Sequence, residues 1–491
     1  MAMNERVMSE LAKVVKEFLE AFESSGDYLR GRVSRLASLA TAEDIETAEL
    51  ATGAFFKSLV ERLADSFDSR AVSLYNRVFA QLIQHCREVD RSGALNGELM
   101  RFGLVSEDDI RARAETIRRK QWPAWLCEAG LEMRRIIVLS RVTLGADVAI
   151  TSVMIEGMKR AFPKAEITLV GGRKAVELFG GDARLSFKEI GYRRVGGTLE
   201  RLFSWIDLLD CVRKLTGDLR RGQYLIVDPD SRLTQLGLLP LSDEDYLFFP
   251  SREYGGDTSQ SLGQLTSAWL DEVFGLAVRL SPKVSLARAD LIAAGELMRR
   301  IRRGSKPVIA INFGVGENVM KRVEGDFETR LVNGLIQGGA TIIFDKGAGA
   351  DEMRRANEVI GNAARTTRAG RGVRVVEVNE ENLKALVSSD KVDADLIVWG
   401  GRIGMLAALI SESDLYTGYD SAGQHIAAAL GVPCVDVFAG FSSPRMLDRW
   451  RPEGKAEARV IAVDSQARSN PQAVLADVLR HINEIALLKN C

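Results

Sequence analysis

Long apolar runs are absent from this chain of 491 residues. No stretch approaches the ~20 consecutive apolar residues that a transmembrane helix requires. Residues 1–6 also lack the apolar segment that follows the start of a secretory signal peptide. We therefore expect a cytoplasmic protein that neither spans a membrane nor is secreted by that route, and peripheral membrane contact stays open.

Cysteine and histidine are scarce. The 5 cysteines are scattered, odd in number and without a C-x-x-C pair, and there are only 3 histidines. This pattern predicts a reducing compartment rather than a disulfide framework. Asp-x-Asp pairs occur at Asp228 and Asp230 and at Asp393 and Asp395, but they are short enough to arise by chance. Without a His/Cys cluster beside them, we predict no catalytic metal.

Neither sign of charge dominates, since 66 Lys and Arg residues face 67 Asp and Glu residues. A nucleic-acid partner is therefore not expected, and any anion site must be local. Gly145, Gly171 and Gly172 follow predicted strands without forming a G-x-G-x-x-G fingerprint. Nicotinamide or flavin binding is disfavoured for that reason.

The length favours about three domains. Residues 1–130, the helical domain, show apolar residues at helical spacing and few strand signals, and we expect them to serve oligomerisation or partner docking. Residues 131–283, the front lobe, and residues 284–470, the rear lobe, alternate short apolar strands with helices. This alternation predicts doubly wound parallel sheets with a ligand cleft between their carboxyl ends. We expect the helix in 471–491 to pack back towards the front lobe.

A polar turn near the end of the rear lobe is the most informative segment. The turn holds Asp420, Ser421, Ala422 and Gly423, it follows an apolar strand, and it opens a helix of small residues with His425 in its first turn. Backbone N–H groups and the helix dipole converge there, which suits a phosphate. A structural role is the alternative for His425, because a lone helical histidine is more often structural.

The first turn of the rear lobe carries Gly314 and Gly316, followed by Lys321 and Arg322. The glycines alone are weak evidence, because tight turns need them anyway. Cations there would neutralise a departing phosphate, and the alternative is a pair of surface charges at a helix start.

Two acidic positions also stand at helix starts. Asp351 and Glu352 follow a glycine turn, where the helix dipole alone would explain them. Asp147 follows the first strand of the front lobe, where a carboxylate can accept a proton from a hydroxyl. Its alternative role is that of a helix N-cap.

In chain order the four motifs begin at Asp147, Gly314, Asp351 and Asp420. Over residues 134–455 they resemble, in that order, the family 9 glycosyltransferases, the relatives of ADP-heptose:lipopolysaccharide heptosyltransferases. The resemblance implies the GT-B fold, with two Rossmann-like doubly wound lobes preceded here by the all-α domain. It implies inverting transfer of a sugar from a nucleoside-diphosphate sugar, ADP-linked and with heptose as a candidate. The nucleotide sugar is a co-substrate, and no other cofactor is implied. A glycan, a lipid-linked molecule or a protein would be the acceptor.

The resemblance also implies residue roles, with Asp147 as the catalytic base. This chain departs from the family pattern in Ala146, in the position of Gly423, and in Val323 and Glu324, which stand where the family has Trp-Pro. The implied donor-binding residues are Gly314, Gly316, Lys321, Arg322, Asp351, Glu352, Asp420, Ser421, Ala422, Gly423 and His425, and the implied acceptor-binding residues are Arg141, Asp228 and Arg232.

Two other functions remain open at this point. The chain could bind sugar nucleotides or act as a scaffold without catalysis, which the altered motifs permit. It could also be a GT-B sugar-nucleotide epimerase or hydrolase, which would turn over the donor without an acceptor.

Overall fold

The computed structural model describes residues 2–119, 132–302, 304, 306–316, 318–368 and 370–488. The predicted boundary between the helical domain and the front lobe, at residues 130 and 131, lies outside these ranges. The described chain forms an all-helical N-terminal part followed by two α/β lobes, which confirms the predicted fold class. Among the described helices, none combines the length and apolarity needed to cross a membrane.

Helices fill the described part of the helical domain, as the apolar spacing predicts. Side-chain caps fix two of the helix starts: Asp44 accepts a hydrogen bond from the Thr47 N–H, and Asp68 accepts from the N–H groups of Arg70 and Ala71. The helices are α1 Ala2–Ser25, α2 Arg30–Ala40, α3 Ile45–Ala54, α4 Glu61–Ala64, α5 Ser69–Arg87, α6 Gly93–Arg101 and α7 Glu107–Arg119, and the π-helical turn Phe55–Val60 joins α3 to α4.

The front lobe is a parallel sheet of five described strands in the order β3-β2-β1-β4-β5. Ile136 of the central strand β1 lies beside Ile167 of β2 and Leu225 of β4. The strands are β1 Arg135–Leu139, β2 Glu166–Gly171, β3 Leu185–Glu189, β4 Tyr224–Asp228 and β5 Tyr246–Phe248. The helices are α8 Leu144–Ala146, α9 Ser152–Ala161, α10 Arg173–Phe179, α11 Thr198–Thr216 and α12 Leu262–Phe274.

The rear lobe is a parallel sheet of seven described strands in the order β10-β11-β7-β6-β12-β13-β14. Its strands are β6 Val308–Asn312, β7 Thr341–Asp345, β10 Val375–Val378, β11 Leu396–Trp399, β12 Leu415–Tyr419, β13 Cys434–Ala439 and β14 Ala458–Val463, with the small antiparallel ribbon β8 Thr367–Arg368 and β9 Arg371–Gly372 beside them. Its helices are α13 Arg288–Ile301, α14 Phe327–Gln337, α15 Ala350–Ala364, α16 Leu383–Val387, α17 Ile403–Ser411, α18 Ala422–Leu430, α19 Pro444–Trp450 and α20 Ser465–Arg468, and α21 Pro471–Leu488 follows.

Each sheet reverses its strand order next to its first strand. The reversal falls between β1 and β4 in the front lobe and between β6 and β12 in the rear lobe. Ligands of open parallel sheets bind in the crevice at such a reversal, outside the carboxyl ends of the strands. The turns that carry the predicted motifs follow β1, β6 and β12, so the topology places them at these two crevices.

The helical domain shares its core with the front lobe. Ile137 and Leu139 of β1 belong to the same apolar cluster as Phe55 and Phe79 of the helical domain. Ile136, which points to the other face of the strand, belongs instead to the cluster that joins the two lobes. The helical domain therefore packs together with α11 over one face of the front sheet and is not a separate appendage.

The last helix, α21, departs from the expectation. Its buried residues Val474, Val478 and Ile482 belong to the rear-lobe cluster, and its main contacts are with α14, β13 and β14. The prediction that it packs back towards the front lobe is wrong in the described structure, because its apolar face has its counterpart on the rear sheet.

Candidate active site

The glycine turns after β6 and β7 are tied together by Glu352. Its carboxylate accepts hydrogen bonds from the Gly316 N–H (2.9 Å) and the Ala348 N–H (3.1 Å). A Cβ on Gly314 would lie 3.0 Å from the same carboxylate, so a side chain there would have to displace it slightly. The neighbouring acid, Asp351, is 60% exposed. Both remain predicted ribose contacts, and Asp351 is the one whose carboxylate faces solvent.

Lys321 and Asp420, which the sequence places in separate motifs, meet in the structure. The Lys321 Nζ donates a hydrogen bond of 2.5 Å to the Asp420 Oδ2. Burial by itself would lower the pKa of Lys321, but the charge of Asp420 and this hydrogen bond outweigh it and raise that pKa. The turns after β6 and β12 therefore form one charged site at the rear-lobe reversal.

Arg322 is the unsatisfied cation of this site. Its side chain is 6% exposed, and its Nε and Nη1 donate no hydrogen bond to any described residue. The nearest carboxylate oxygen, Asp351 Oδ2, lies 3.8 Å from Nη1. Arg322 lines a narrow crevice together with Phe313 and Arg355. A buried guanidinium with unbonded N–H groups and only this long ion pair is costly, and an anion in the crevice would satisfy it.

The start of α18 presents unpaired N–H groups to the same site. Ser421 is the N-cap residue, but its side chain accepts no hydrogen bond from the first helical turn. Ala422 and Gly423 form that turn, and a Cβ on Gly423 would lie 2.1 Å from the Tyr416 hydroxyl oxygen. Only glycine fits there, so the helix start lies directly on the end of β12. The arrangement suits an anion.

Gly145 brings the front lobe against the start of α18. A Cβ on Gly145 would lie 3.1 Å from the His425 Cδ2 and 3.6 Å from the Ala422 nitrogen. His425 is 4% exposed, and its ring lies 6.1 Å, edge-on, from that of Trp450. Burial lowers the pKa of His425 to about 4. In this arrangement His425 is a neutral packing residue between the lobes, and its donor contact stays a prediction.

Asp147 lies at the start of the π-helical segment Asp147–Thr151 and is 1% exposed. Its carboxylate accepts hydrogen bonds from the Ser140 hydroxyl (2.7 Å), the Arg141 N–H (2.7 Å) and the Thr151 hydroxyl (2.8 Å). The N-cap of the preceding short helix is Thr143, and Asp147 is its C-cap, so Asp147 is not an N-cap. Burial raises the pKa of Asp147, and these donors oppose the rise. The carboxylate fixes the turn after β1, and its role as a base stays a prediction.

The implied acceptor residues Asp228 and Arg141 are also turned inward. Asp228 is 0% exposed and accepts hydrogen bonds from the Ser231 N–H and the Thr234 hydroxyl, both at 2.6 Å, while burial raises its pKa to about 6. Arg141 Nη1 donates to the Ser251 hydroxyl at 2.8 Å. In this conformation both side chains form hydrogen bonds within the front lobe, and their acceptor contacts stay predictions.

Arg232, the third implied acceptor residue, reaches the helical domain. Its Nη2 lies 3.3 Å from the Glu61 Oε1, and both side chains are about one-third exposed. Glu61 begins α4, and Asp65 ends it. The charges of Lys321, Arg252 and Asp420 all act on Asp65. The helical domain thus contributes an acidic edge to the cleft, which the sequence analysis missed because no motif marks it.

The second Asp-x-Asp pair has a structural role. Asp395 is 0% exposed and is held by Arg368 Nη1 and Arg371 Nη1, both at 2.7 Å. Within the described ranges, no three or more His, Cys, Asp or Glu side chains group in a way that could hold a metal ion. The absence of a catalytic metal remains a prediction.

No protein-family model matches this chain, and no curated protein is significantly similar to it. Several solved structures resemble this chain at low sequence identity. A glycosyl transferase family 9 protein from Veillonella parvula is 13% identical with a TM-score of 0.49, covering 73% of this chain and 98% of its own. The E. coli ADP-heptose lps heptosyltransferase II is 15% identical with a TM-score of 0.47, covering 73% of this chain and 100% of its own. At such identities and TM-scores, the activity has to be inferred from the residues of this chain.

Proposed function

We propose that this protein is a glycosyltransferase that moves a sugar from an ADP-linked donor to an acceptor hydroxyl with inversion. One observation carries the proposal: Arg322 lies buried with unpaired N–H groups beside Lys321 and the uncapped start of α18. Lys321 and the start of α18 lie at the strand reversal of the rear lobe, where an anionic ligand is expected, and Arg322 lines the adjoining crevice at the ends of β6 and β7. A nucleoside diphosphate has the charge and the phosphate oxygens that such a site binds.

The same groups would act on the leaving group. When the bond between the anomeric carbon and the diphosphate oxygen breaks, negative charge grows on the diphosphate. In this proposal Lys321, Arg322 and the N–H groups of Ala422 and Gly423 stabilise that charge as it develops. Removing one such contact is expected to slow transfer by on the order of 10²-fold or more.

Donor binding requires the lobes to separate. The crevice beside Arg322 measures about 10 Å³, room for about one water molecule. Gly145 also lies against the start of α18, where the diphosphate would bind. The described arrangement is therefore a closed one, and opening between the lobes would admit the nucleotide and give the acceptor hydroxyl access from the front lobe. A heptose is the donor sugar that the family resemblance suggests, and the acceptor would be a glycan, a lipid-linked molecule or a protein.

Ligand-induced stabilisation followed by product analysis tests the function. We expect ADP and ADP-sugars, but not nicotinamide dinucleotides, to raise the melting temperature, with about 2.7 kcal/mol of stabilisation at a hundredfold excess over Kd. Radiolabelled ADP-heptose and ADP-glucose are then incubated with glycan, lipid-linked and protein acceptors. Binding without any product would favour a sugar-nucleotide-binding scaffold, and donor consumption without acceptor would favour an epimerase or hydrolase. No response to any nucleotide would overturn the proposal.

Arg322→Met sharpens this test. Because the guanidinium is buried with two nitrogens that donate no hydrogen bond, its removal is expected to leave the ligand-free protein as stable or more stable while abolishing most of the ADP shift. Arg365→Met is the matched control, since Arg365 is exposed and bonded only to the nearby Asn362 in the described chain. Equal ADP shifts in the two variants would remove Arg322 from the donor site.

A further inference from the structure

The connection between α4 and α5 brings the helical domain into the cleft. The Ser442 hydroxyl donates a hydrogen bond of 3.1 Å to the Asp65 carbonyl, and Arg445 Nη1 donates one of 2.6 Å to the Phe67 carbonyl. Both donors lie in or beside the start of α19 in the rear lobe. This connection, residues 65–68, is therefore fixed between the helical domain and the rear lobe.

Phe67 holds the connection in an unusual backbone conformation. Its φ is +51°, in the left-handed region that disfavours a residue with a side chain. The side chain is 5% exposed and belongs to the apolar core that the two lobes share. Packing maintains the strain, and strain of this kind concentrates at functional sites.

The Asp65 carboxylate has no hydrogen-bond or ion-pair partner in the part of the chain that the structure describes. It accepts no hydrogen bond from any described residue and forms no close ion pair with one, although it is half-buried. It caps the carboxyl end of α4, where the helix dipole disfavours an acid. Neither helix stability nor a salt bridge explains this acid. Asp147, in contrast, is 1% exposed and already accepts three hydrogen bonds.

We propose that Asp65 is the general base of the transfer reaction, supplied by the helical domain. This rests on the proposed function. The acceptor hydroxyl gives its proton to the Asp65 carboxylate, and its oxygen electron pair forms the bond to the anomeric carbon. The bond from that carbon to the diphosphate oxygen breaks, and its electron pair leaves with ADP, which Lys321 holds. Asp147 then positions the turn after β1 and does not take the proton.

The electrostatic surroundings suit this role. Burial raises the pKa of Asp65 to about 6, Lys321 and Arg252 oppose the rise, and Glu61 and Asp420 add to it. At neutral pH the carboxylate is then mostly ionised, while its basicity lies near the operating pH, which is where a general base works best. The remaining charges on the adjoining elements, Arg232 and Arg445, are engaged with Glu61 and with the Phe67 carbonyl.

The test follows ADP release from ADP-heptose or ADP-glucose, with water as the acceptor, and transfer to any acceptor found above. Asp65→Asn is expected to lower kcat by on the order of 10²- to 10⁴-fold and to leave the ADP-induced thermal shift unchanged. Asp65→Glu should retain partial activity. The acid limb of the wild-type kcat profile, near pH 6, should disappear in Asp65→Asn. Asp27→Asn, an exposed acid between α1 and α2, is the matched control.

The outcomes separate the two proposals. If the wild type binds ADP but transfers sugar to no acceptor, the proposed function fails and Asp65 fails with it. If the wild type is active and Asp65→Asn stays within about threefold of it, only the role of Asp65 is overturned. Loss of ADP binding in Asp65→Asn would reassign the residue to donor binding. Should Asp65→Asn fold poorly, Asp65→Ser is measured in the same way, with the same outcomes.

Discussion

Lys321 and Asp420 form an ion pair between turns that lie 99 positions apart in the chain, with Nζ 2.5 Å from Oδ2. One turn follows β6 and the other follows β12, which are neighbours only because the sheet reverses its strand order there. The pair shows that the two glycine-containing motifs of the rear lobe belong to one site. Its charges are 21% and 7% exposed, so water screens them only partly.

Lys321→Ala is expected to weaken ADP binding at least tenfold and to slow transfer by on the order of 10²-fold, because it removes a cation from the diphosphate position and leaves Asp420 unpaired and repelling it. Isothermal titration with ADP and initial rates measure the two effects. Adding Asp420→Asn to Lys321→Ala should restore part of the ADP affinity, because the repelling charge is gone. Lys13→Ala, at a side chain 75% exposed on α1, is the control.

Much of this site could be predicted from the sequence because short apolar strands fix which turns share a sheet edge. The runs around Ile136, Ile309 and Tyr416 are apolar, which is typical of strands in a parallel sheet that is covered on both faces. The structure confirms strands there. Once the strands are placed, Lys321 and Asp420 must face one crevice.

The direction of individual side chains could not be predicted in this way. Asp228 stands at a strand end, but it bonds back into its own loop, and only the hydroxyl of Thr234, six residues later, reveals why. Glu352 similarly bonds to two turns instead of facing solvent. Asp65 was missed because its neighbours, such as Ser442, lie 377 positions away, and nothing local marks that contact.

Phe79→Ala tests whether the helical domain and the front lobe unfold as one unit. Phe79 is 0% exposed, and its ring lies 5.4 Å from that of Phe55 and 4.9 Å from that of Tyr75. We expect a loss of about 3–5 kcal/mol, with one denaturant midpoint for the amide-exchange protection of α5 in the helical domain and of β1 in the front lobe. Separate midpoints would contradict the shared core. Met100→Ala, at a side chain 51% exposed, should change stability little.

Asp147→Asn distinguishes a positioning acid from a proton acceptor. The amide loses one of the oxygens that accept from Ser140, Arg141 and Thr151, so we expect a stability loss of about 1–3 kcal/mol. If Asp65 takes the proton, transfer in this variant should fall less than in Asp65→Asn. If transfer vanishes while the ADP shift and the melting temperature are kept, Asp147 is the base, as the family resemblance implies.

The His425 ring makes the closed arrangement sensitive to acid. Burial lowers its pKa to about 4, and Lys321 contributes to this, whereas an unfolded histidine titrates near 6.5. Between these values the unfolded chain binds the proton and the folded protein does not. The stability from this group is therefore fully present above about pH 6.5 and is lost as the pH falls towards 4, by up to about 3 kcal/mol.

His425→Gln removes this titration. Urea unfolding at a series of pH values should show the wild type losing up to about 3 kcal/mol more than the variant between pH 7 and pH 4. Because the imidazolium would be buried against Gly145, we expect acid to separate the lobes before the sheets unfold. Small-angle scattering at pH 5 should then show a larger radius of gyration in the wild type than in the variant. Parallel stability curves and equal radii would show that this contact does not hold the lobes together.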